Sequence, residues 1–126
     1  MPVEVNFLED RGVEVLGSGL VDGREIIRAN EAIINDERVR DLRYKLIDKS
    51  ACTEYVVSAE DVKKIAELNR IISEANPGIV IAVVESSRLQ FSLTNLWQAL
   101  IDQFDIKNNS FQSRDAALEW INNHLS

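Results

Sequence analysis

Leu42-Arg43-Tyr44-Lys45-Leu46-Ile47-Asp48-Lys49-Ser50 alternates apolar with basic side chains and then breaks on an acid, and Val56-Val57-Ser58-Ala59-Glu60-Asp61-Val62 follows a few residues later. The first stretch has the period of two of a strand, and the second opens a helix at an N-cap serine with acids in its first turn. A strand that ends on an acid, then a short loop and a capped helix, is one unit of an open α/β sheet. Polar side chains at that junction lie where such sheets keep their sites.

The units on either side repeat the theme. Behind the Ser58 cap, Val62, Ile65, Ala66, Ile72 and Ala75 form an apolar stripe, with Glu60, Lys63, Lys64, Glu67, Arg70 and Glu74 on the wet side, and Asn76-Pro77-Gly78 stops the helix. Ile79-Val80-Ile81-Ala82-Val83-Val84 shows no alternation, as a parallel strand covered on both faces requires. Upstream, Val3, Val5 and Phe7 alternate with Glu4 and Asn6, Glu9-Asp10-Arg11-Gly12 makes a turn, and Val13-Glu14-Val15-Leu16-Gly17 is the hairpin partner, after which Gly17 and Gly19 loosen the backbone. Asp22-Gly23-Arg24-Glu25 has the spacing of a capping box ahead of Ile26, Ile27, Asn30, Ile33 and Ile34 on one helical face. Downstream, a third helix carries Leu93, Leu96, Trp97, Leu100, Ile101 and Phe104, a short segment follows near residues 106–111, and a fourth helix starts at the cap Ser113.

The order β-β-α-β-α-β-α-β-α predicts one α/β domain over residues 1–126: a mostly parallel sheet of four to five strands, with the antiparallel hairpin strand at an edge. Residues 48–57, 85–90 and 112–113 are read as loops gathering on the rim at the carboxyl ends of the strands.

Composition narrows the partners. A net charge of −7 from 21 acids and 14 bases disfavours nucleic acid, whose affinity comes from Lys and Arg on phosphates. Cys52 has no cysteine to pair with, the start Met-Pro-Val-Glu-Val lacks a signal peptide's regions, and the longest apolar run is far below the roughly 20 residues that span a bilayer. The expectation is a cytoplasmic protein.

Several short segments together resemble a known family: Gly19-Leu20-Val21-Asp22-Gly23 before the first helix, Leu46-Ile47-Asp48, Val57-Ser58-Ala59-Glu60-Asp61-Val62, Asn76-Pro77, and Ala117-Leu118-Glu119-Trp120-Ile121 in the last helix. Their order and spacing resemble the STAS-like domains, most closely the SpoIIAA-like branch of small bacterial proteins. In anti-sigma-factor antagonists of that class the resemblance implies a regulatory phosphoserine in an Asp-Ser-Ser-Gly type motif. Ser58 falls near the phosphoacceptor position, but the flanking Asp and Gly are replaced, and Glu60 and Asp61 would repel a phosphate there. The similarity of the SpoIIAA-like branch to CRAL-TRIO lipid-transfer domains implies instead a small apolar or lipid-like ligand and peripheral membrane contact.

The residues themselves support no chemistry. His124 sits two residues from the end, Cys52 is a lone loop thiol, and Asp48, Glu54 and Glu85 have no second-shell His and no metal-ligand spacing around them. The glycines at 17, 19 and 23 miss the dinucleotide-binding spacing. The expectation is a non-enzymatic binding module without metal or cofactor. In the first form, Tyr55, Val57, Phe91, Leu93 and Trp97 wall an apolar groove beside Asp48, and Arg88 meets an anionic headgroup. In the alternative, a regulatory protein of the anti-sigma-antagonist kind docks around Lys49, Ser50 and Ser58 to Asp61, with Ser58 and Ser50 as phosphorylation candidates. A homodimer stays open in either form.

Overall fold

The computed structural model describes residues 2–125. Strands β1 (Val3–Phe7) and β2 (Gly12–Asp22) form the opening antiparallel hairpin. Strands β3 (Tyr44–Val56), β4 (Val80–Val84) and β5 (Lys107–Phe111) then add in parallel, in the spatial order β1-β2-β3-β4-β5. The crossovers are helices α1 (Gly23–Ile34), α2 (Ala59–Ala75) and α3 (Arg88–Ile101), and α4 (Arg114–Leu125) closes the chain. A short 3₁₀ turn, Glu37–Asp41, links α1 to β3 and is held by the Asp36 carboxylate on the Arg38 amide and guanidinium.

The caps lie where the spacing puts them. Asp22 Oδ1 accepts the Glu25 amide at 2.9 Å while Glu25 Oε1 accepts the Asp22 amide, and Ser58 and Asp61 exchange the same pair of bonds at the head of α2. Helices α1, α2 and α3 cover one face of the sheet, where Ile26, Val62, Ile65, Trp97 and Ile101 meet Ile81 and Val83. On the other face α4 alone lays Ala117 and Ile121 on Tyr44, Leu46, Val80, Ala82 and Val84. Every residue of β4 is buried, as its unbroken apolar run requires, and each such valine or isoleucine is worth about 1.5–3 kcal/mol relative to exposure.

Three expectations are corrected. Residues 49–56 are not a loop: they continue β3 and pair in parallel with Ser18 to Asp22, which continue β2 past Gly17. Two register shifts, between Leu16 and Ser18 and between Gly19 and Leu20, scramble the alternation that would have revealed the strands, and Gly19 takes the left-handed φ of 66° at the second. Both strands thus run on as a two-stranded ribbon, because β1 begins only opposite Gly17 and β4 ends opposite Asp48. Lys49, expected on a docking surface, is buried under the α1–α3 layer, and Lys45 is buried beside it. Residues 88–90 are not loop either: Ser87 caps α3, its hydroxyl accepting the Gln90 amide at 3.1 Å, so the helix begins at Arg88 and Phe91 lies in its first turn.

Candidate functional site

The carboxyl ends of β2 and β3 and the starts of α1, α2 and α3 meet at one end of the molecule. The heads of α1 and α2 touch: a Cβ on Gly23 would sit 2.2 Å from the Asp61 carboxylate, so only glycine lets the two capping boxes lie side by side. Ser58 is exposed and is held as an N-cap. The ribbon leads here because Tyr55 and Val57 turn into the core, which leaves Val56 between them facing out. Leu20 (50% exposed), Val56 (58%), Leu89 (53%) and Phe91 (48%) are the large hydrophobics left in solvent among the described residues, and all four belong to this end.

Beneath this rim lies a small chamber. Ile26, Ile47, Val62, Ile65, Val83 and Leu93 wall a cavity of ≈ 40 Å³, and Lys49, Tyr55, Thr94 and Trp97 are its polar members. Lys49 Nζ donates to Thr94 Oγ1 at 3.1 Å and to Tyr55 Oη at 3.4 Å, over whose ring it sits at 4.8 Å from the centroid. Burial draws the Lys49 pKa down to about 8, partly offset by the charges of Glu85 and Cys52, and burial also pushes the Tyr55 hydroxyl up. Trp97 Nε1 and Glu85 Oε2 are buried with no hydrogen-bond partner among the described residues. Gln90 ties chamber to rim, its amide nitrogen reaching the Lys49 carbonyl at 3.4 Å and its oxygen accepting the Ser86 amide at 2.8 Å.

Asp48 points to the other face of the sheet. There Arg114, at the head of α4, bridges Glu14 at 2.5 Å and Asp48 at 3.2 Å. Asp48 also accepts the amide and hydroxyl of Ser50 at 3.0 and 2.6 Å. Burial alone would raise the Asp48 carboxyl, but Ser50 and Arg114 outweigh it and hold the group below its ordinary range.

The residues expected to line one groove therefore separate. Tyr55, Leu93 and Trp97 share the chamber with Lys49; Val57 is core beside it; Arg88 and Phe91 border an open depression with Glu85, Ser86 and Gln112; Asp48 and Ser50 border a third on the α4 side of the sheet. Lys49 cannot serve as part of a docking surface because it is buried. Cys52 is half-buried, and burial raises its thiol, with Lys49 lowering it less and Asp48 raising it further. His124 lies at the far end of α4, bonded to the Trp120 carbonyl at 3.0 Å and against the Trp120 ring. Among the described residues no three His, Cys, Asp or Glu side chains gather as metal ligands.

Reading the sequence missed the Lys45 site. Its ammonium lies between the side-chain oxygens of Asn30 and Asn69, whose amides in turn donate to the carbonyls of Ile26 and Ile65 one turn earlier. A polar Asn30 on the apolar stripe of α1 was the available signal.

No family model and no curated protein matches the chain by sequence. Solved structures do match. The anti-sigma factor antagonist SpoIIAA in its unphosphorylated form superposes with a TM-score of 0.59 at 9% identity, over 95% of this chain and 97% of that one. The chain has the SpoIIAA-like fold of the STAS class. An uncharacterised protein of the DUF3478 family from Shewanella loihica PV-4, itself described as having a SpoIIAA-like fold, matches with a TM-score of 0.56 at 13% identity, over 94% of this chain and 91% of that one. Among the described residues this fold is a five-stranded mixed sheet, antiparallel only between β1 and β2, with four α-helices. Neither match bears on the CRAL-TRIO likeness. No helix among the described residues is long and apolar enough to cross a membrane.

Proposed function

We propose that this SpoIIAA-like domain is a non-enzymatic, cytoplasmic protein-interaction module of the anti-sigma-antagonist type, and that it docks its partner on the rim around Leu20, Val56, Leu89 and Phe91. The observation that carries the reading is the clustering of all four exposed large hydrophobics at the end where the strands finish and three helices begin. Apolar side chains gathered at one end and edged by polar residues mark an interaction site. SpoIIAA, the similar structure, is an anti-sigma factor antagonist, which agrees in kind. Ser58 serves this surface as a helix cap, and the carboxylate of Asp61 on its amide argues against a phosphate as the switch.

The test is photo-crosslinking from the host cytoplasm, with the reactive group placed at Leu89 in one sample and at exposed Glu119 of α4 in another. One defined protein captured at Leu89 and absent at Glu119 is the expected result; identical patterns from both positions overturn the reading.

The small apolar or lipid-like ligand keeps one support, the chamber beside Lys49 with the unpaired Trp97 N–H. At ≈ 40 Å³ it falls well short of the roughly 300–1,000 Å³ of ordinary ligand pockets. A lipid therefore enters only if α3 swings away from the sheet and bares Leu93 and Trp97, with Arg88 and Phe91 turned to the membrane. Co-sedimentation with anionic liposomes that is lost in a Phe91→Asp, Leu93→Asp variant would favour this reading, and native mass spectrometry of protein from its own host would show the bound mass. Equal partitioning of wild type and variant removes it.

A further inference from the structure

Resting on the reading of the rim as a docking surface, we propose that the partner contributes an extended, basic peptide segment that adds to β3 as a further strand, along residues 52–56 and beside the start of α3. Strand β4 leaves β3 at the Asp48–Val84 pair, yet β3 runs on to Val56. The first positions of the freed edge are closed off locally: the Lys49 carbonyl accepts from the Gln90 side chain at 3.4 Å, and the Ser50 amide donates to the Asp48 carboxylate at 3.0 Å. From residue 51 to 56 the side facing α3 meets no strand among the described residues. An unpaired row of N–H and C=O groups is a template for another strand.

The space beside this edge has the right form. Residues 52–56 make one wall of an open groove of ≈ 500 Å³, and Ser87, Leu89 and Gln90 of α3 make the other. Val56 and Leu89, more than half exposed, stand in those two walls. A strand laid between them would place alternate side chains against these apolar groups, the usual division in strand addition between backbone affinity and side-chain specificity. Edges that must stay single are commonly guarded by lysine or proline. The edge segment Ala51-Cys52-Thr53-Glu54-Tyr55-Val56 contains neither, and the guards it does carry are the charge of Glu54 and the bulge at Thr53. The second register shift leaves Thr53 without a partner on β2, and beyond it residues 54–56 pair with 20–22 in regular register, the stretch that offers an incoming strand its template.

Charge selects the occupant. Among the described residues Glu54 is the one acidic or basic side chain lining the groove, and Glu60 and Asp61 follow in the first turn of α2. Arg88 borders the neighbouring depression instead. A second copy of this chain, itself at −7, would bring Glu54 towards Glu54 across an edge-to-edge pair, which like charges oppose. Lysine or arginine on the incoming strand is favoured by the same charges.

The probe is the synthetic peptide acetyl-Lys-Val-Arg-Val-Lys-Val-amide, titrated into the full chain by NMR, with three comparison peptides: Glu in place of its three basic residues, backbone N-methylation at the three valines, and N-methylation at the three basic residues. In a strand, alternate N–H groups point to one side, so one methylated set should abolish binding and the other should leave it within a few fold. The basic peptide should protect from exchange, at least tenfold, the alternate amides of residues 51–56 that face α3 and not those that already face β2, lose affinity as salt rises, and bind at least tenfold more tightly than the acidic one. Binding without that protection, equal loss from both methylated sets, no binding of the basic peptide at millimolar concentration, or protection of residues 51–56 that arises only from self-association overturns the proposal. If Leu89 still crosslinks one partner in such a case, strand addition alone fails; if Leu89 and Glu119 capture alike, the rim reading fails with it.

Discussion

Replacing Lys45 with methionine should flatten the rise of stability with pH above neutrality. Lys45 is fully buried, its ammonium meets only the neutral side chains of Asn30 and Asn69, and burial draws its pKa from 10.5 to about 7. Between those two values the unfolded chain carries a proton on this residue that the folded chain has released, so stability climbs with pH across the window. The fall from 10.5 to about 7, at about 1.4 kcal/mol per pH unit, corresponds to roughly 4–5 kcal/mol between the limits, of which about 2 kcal/mol accrues between pH 7 and 9. Lys49, lowered to about 8, adds a smaller rise over the same range in both proteins, so the difference between them isolates Lys45. In Lys45→Met the two asparagine oxygens lose their donor, about 1–3 kcal/mol each, against the relief of no longer burying an amine. The two effects oppose one another at pH 7, so the pH dependence is the readout. Urea unfolding followed by circular dichroism at pH 7, 8 and 9 measures it. With a slope of about 1–3 kcal/mol per molar urea, the wild-type midpoint should climb roughly 1 M further than that of the variant. Parallel profiles for the two proteins would refute the account of Lys45 as an amine neutral in the fold.

Arg114→Ala leaves Glu14 and Asp48 facing one another without a cation; chemical denaturation at pH 7 should show a loss of about 1–3 kcal/mol. Because Asp48 is held below its ordinary range, its contribution is present above the unfolded carboxylate range and lost as pH falls, so the gap between wild type and variant should narrow in acid. Ser58→Ala should lower stability by about 1 kcal/mol, whereas Ser58→Asp, which also caps, should stay near wild type in thermal melts. Gly23→Ala drives a methyl group into Asp61 and should cost about 1–2 kcal/mol as the α2 cap is displaced; in an Asp61→Ser background the same substitution should cost less, as a double-mutant cycle will read. The Cys52 thiol should reach half-maximal reaction with a disulfide reagent at a higher pH than a free thiol does, since burial raises it.

Where one physical signal dominated, the chain could be read directly. The β4 run, the two capping boxes and the apolar stripes of α1 and α2 gave the order of elements, and with it the sheet that the structure contains. The ribbon escaped because two register shifts break its alternation and because Ser50-Ala51-Cys52-Thr53-Glu54 has the composition of a loop. Tertiary pairing with Ser18 to Asp22 overrode that local preference. The candidate site was legible as a place and not as a set of partners. The rim was located from the acid-ended strand, but which residues share a cavity depended on the side of β3 that each faces. Asp48 and Lys49 are neighbours in sequence, and the sheet stands between their side chains. Arg114 was absent from the reading because its partners Glu14 and Asp48 lie 100 and 66 residues away along the chain.

The asparagine pair around Lys45 also bears on how the central strand chooses its alignment. In β3, Tyr44, Leu46 and Asp48 face α4 while Lys45, Ile47 and Lys49 face the other three helices. Sliding β3 by one position would exchange these sets, setting an amine against Ala117 and Ile121 and leaving Asn30 and Asn69 to face a hydrocarbon side chain. Hydrophobicity alone discriminates poorly here, since both faces of the strand are covered. The amine that costs stability in the correct alignment costs more in the shifted one, so Lys45 and its two asparagines act as a key that admits a single threading of the sheet.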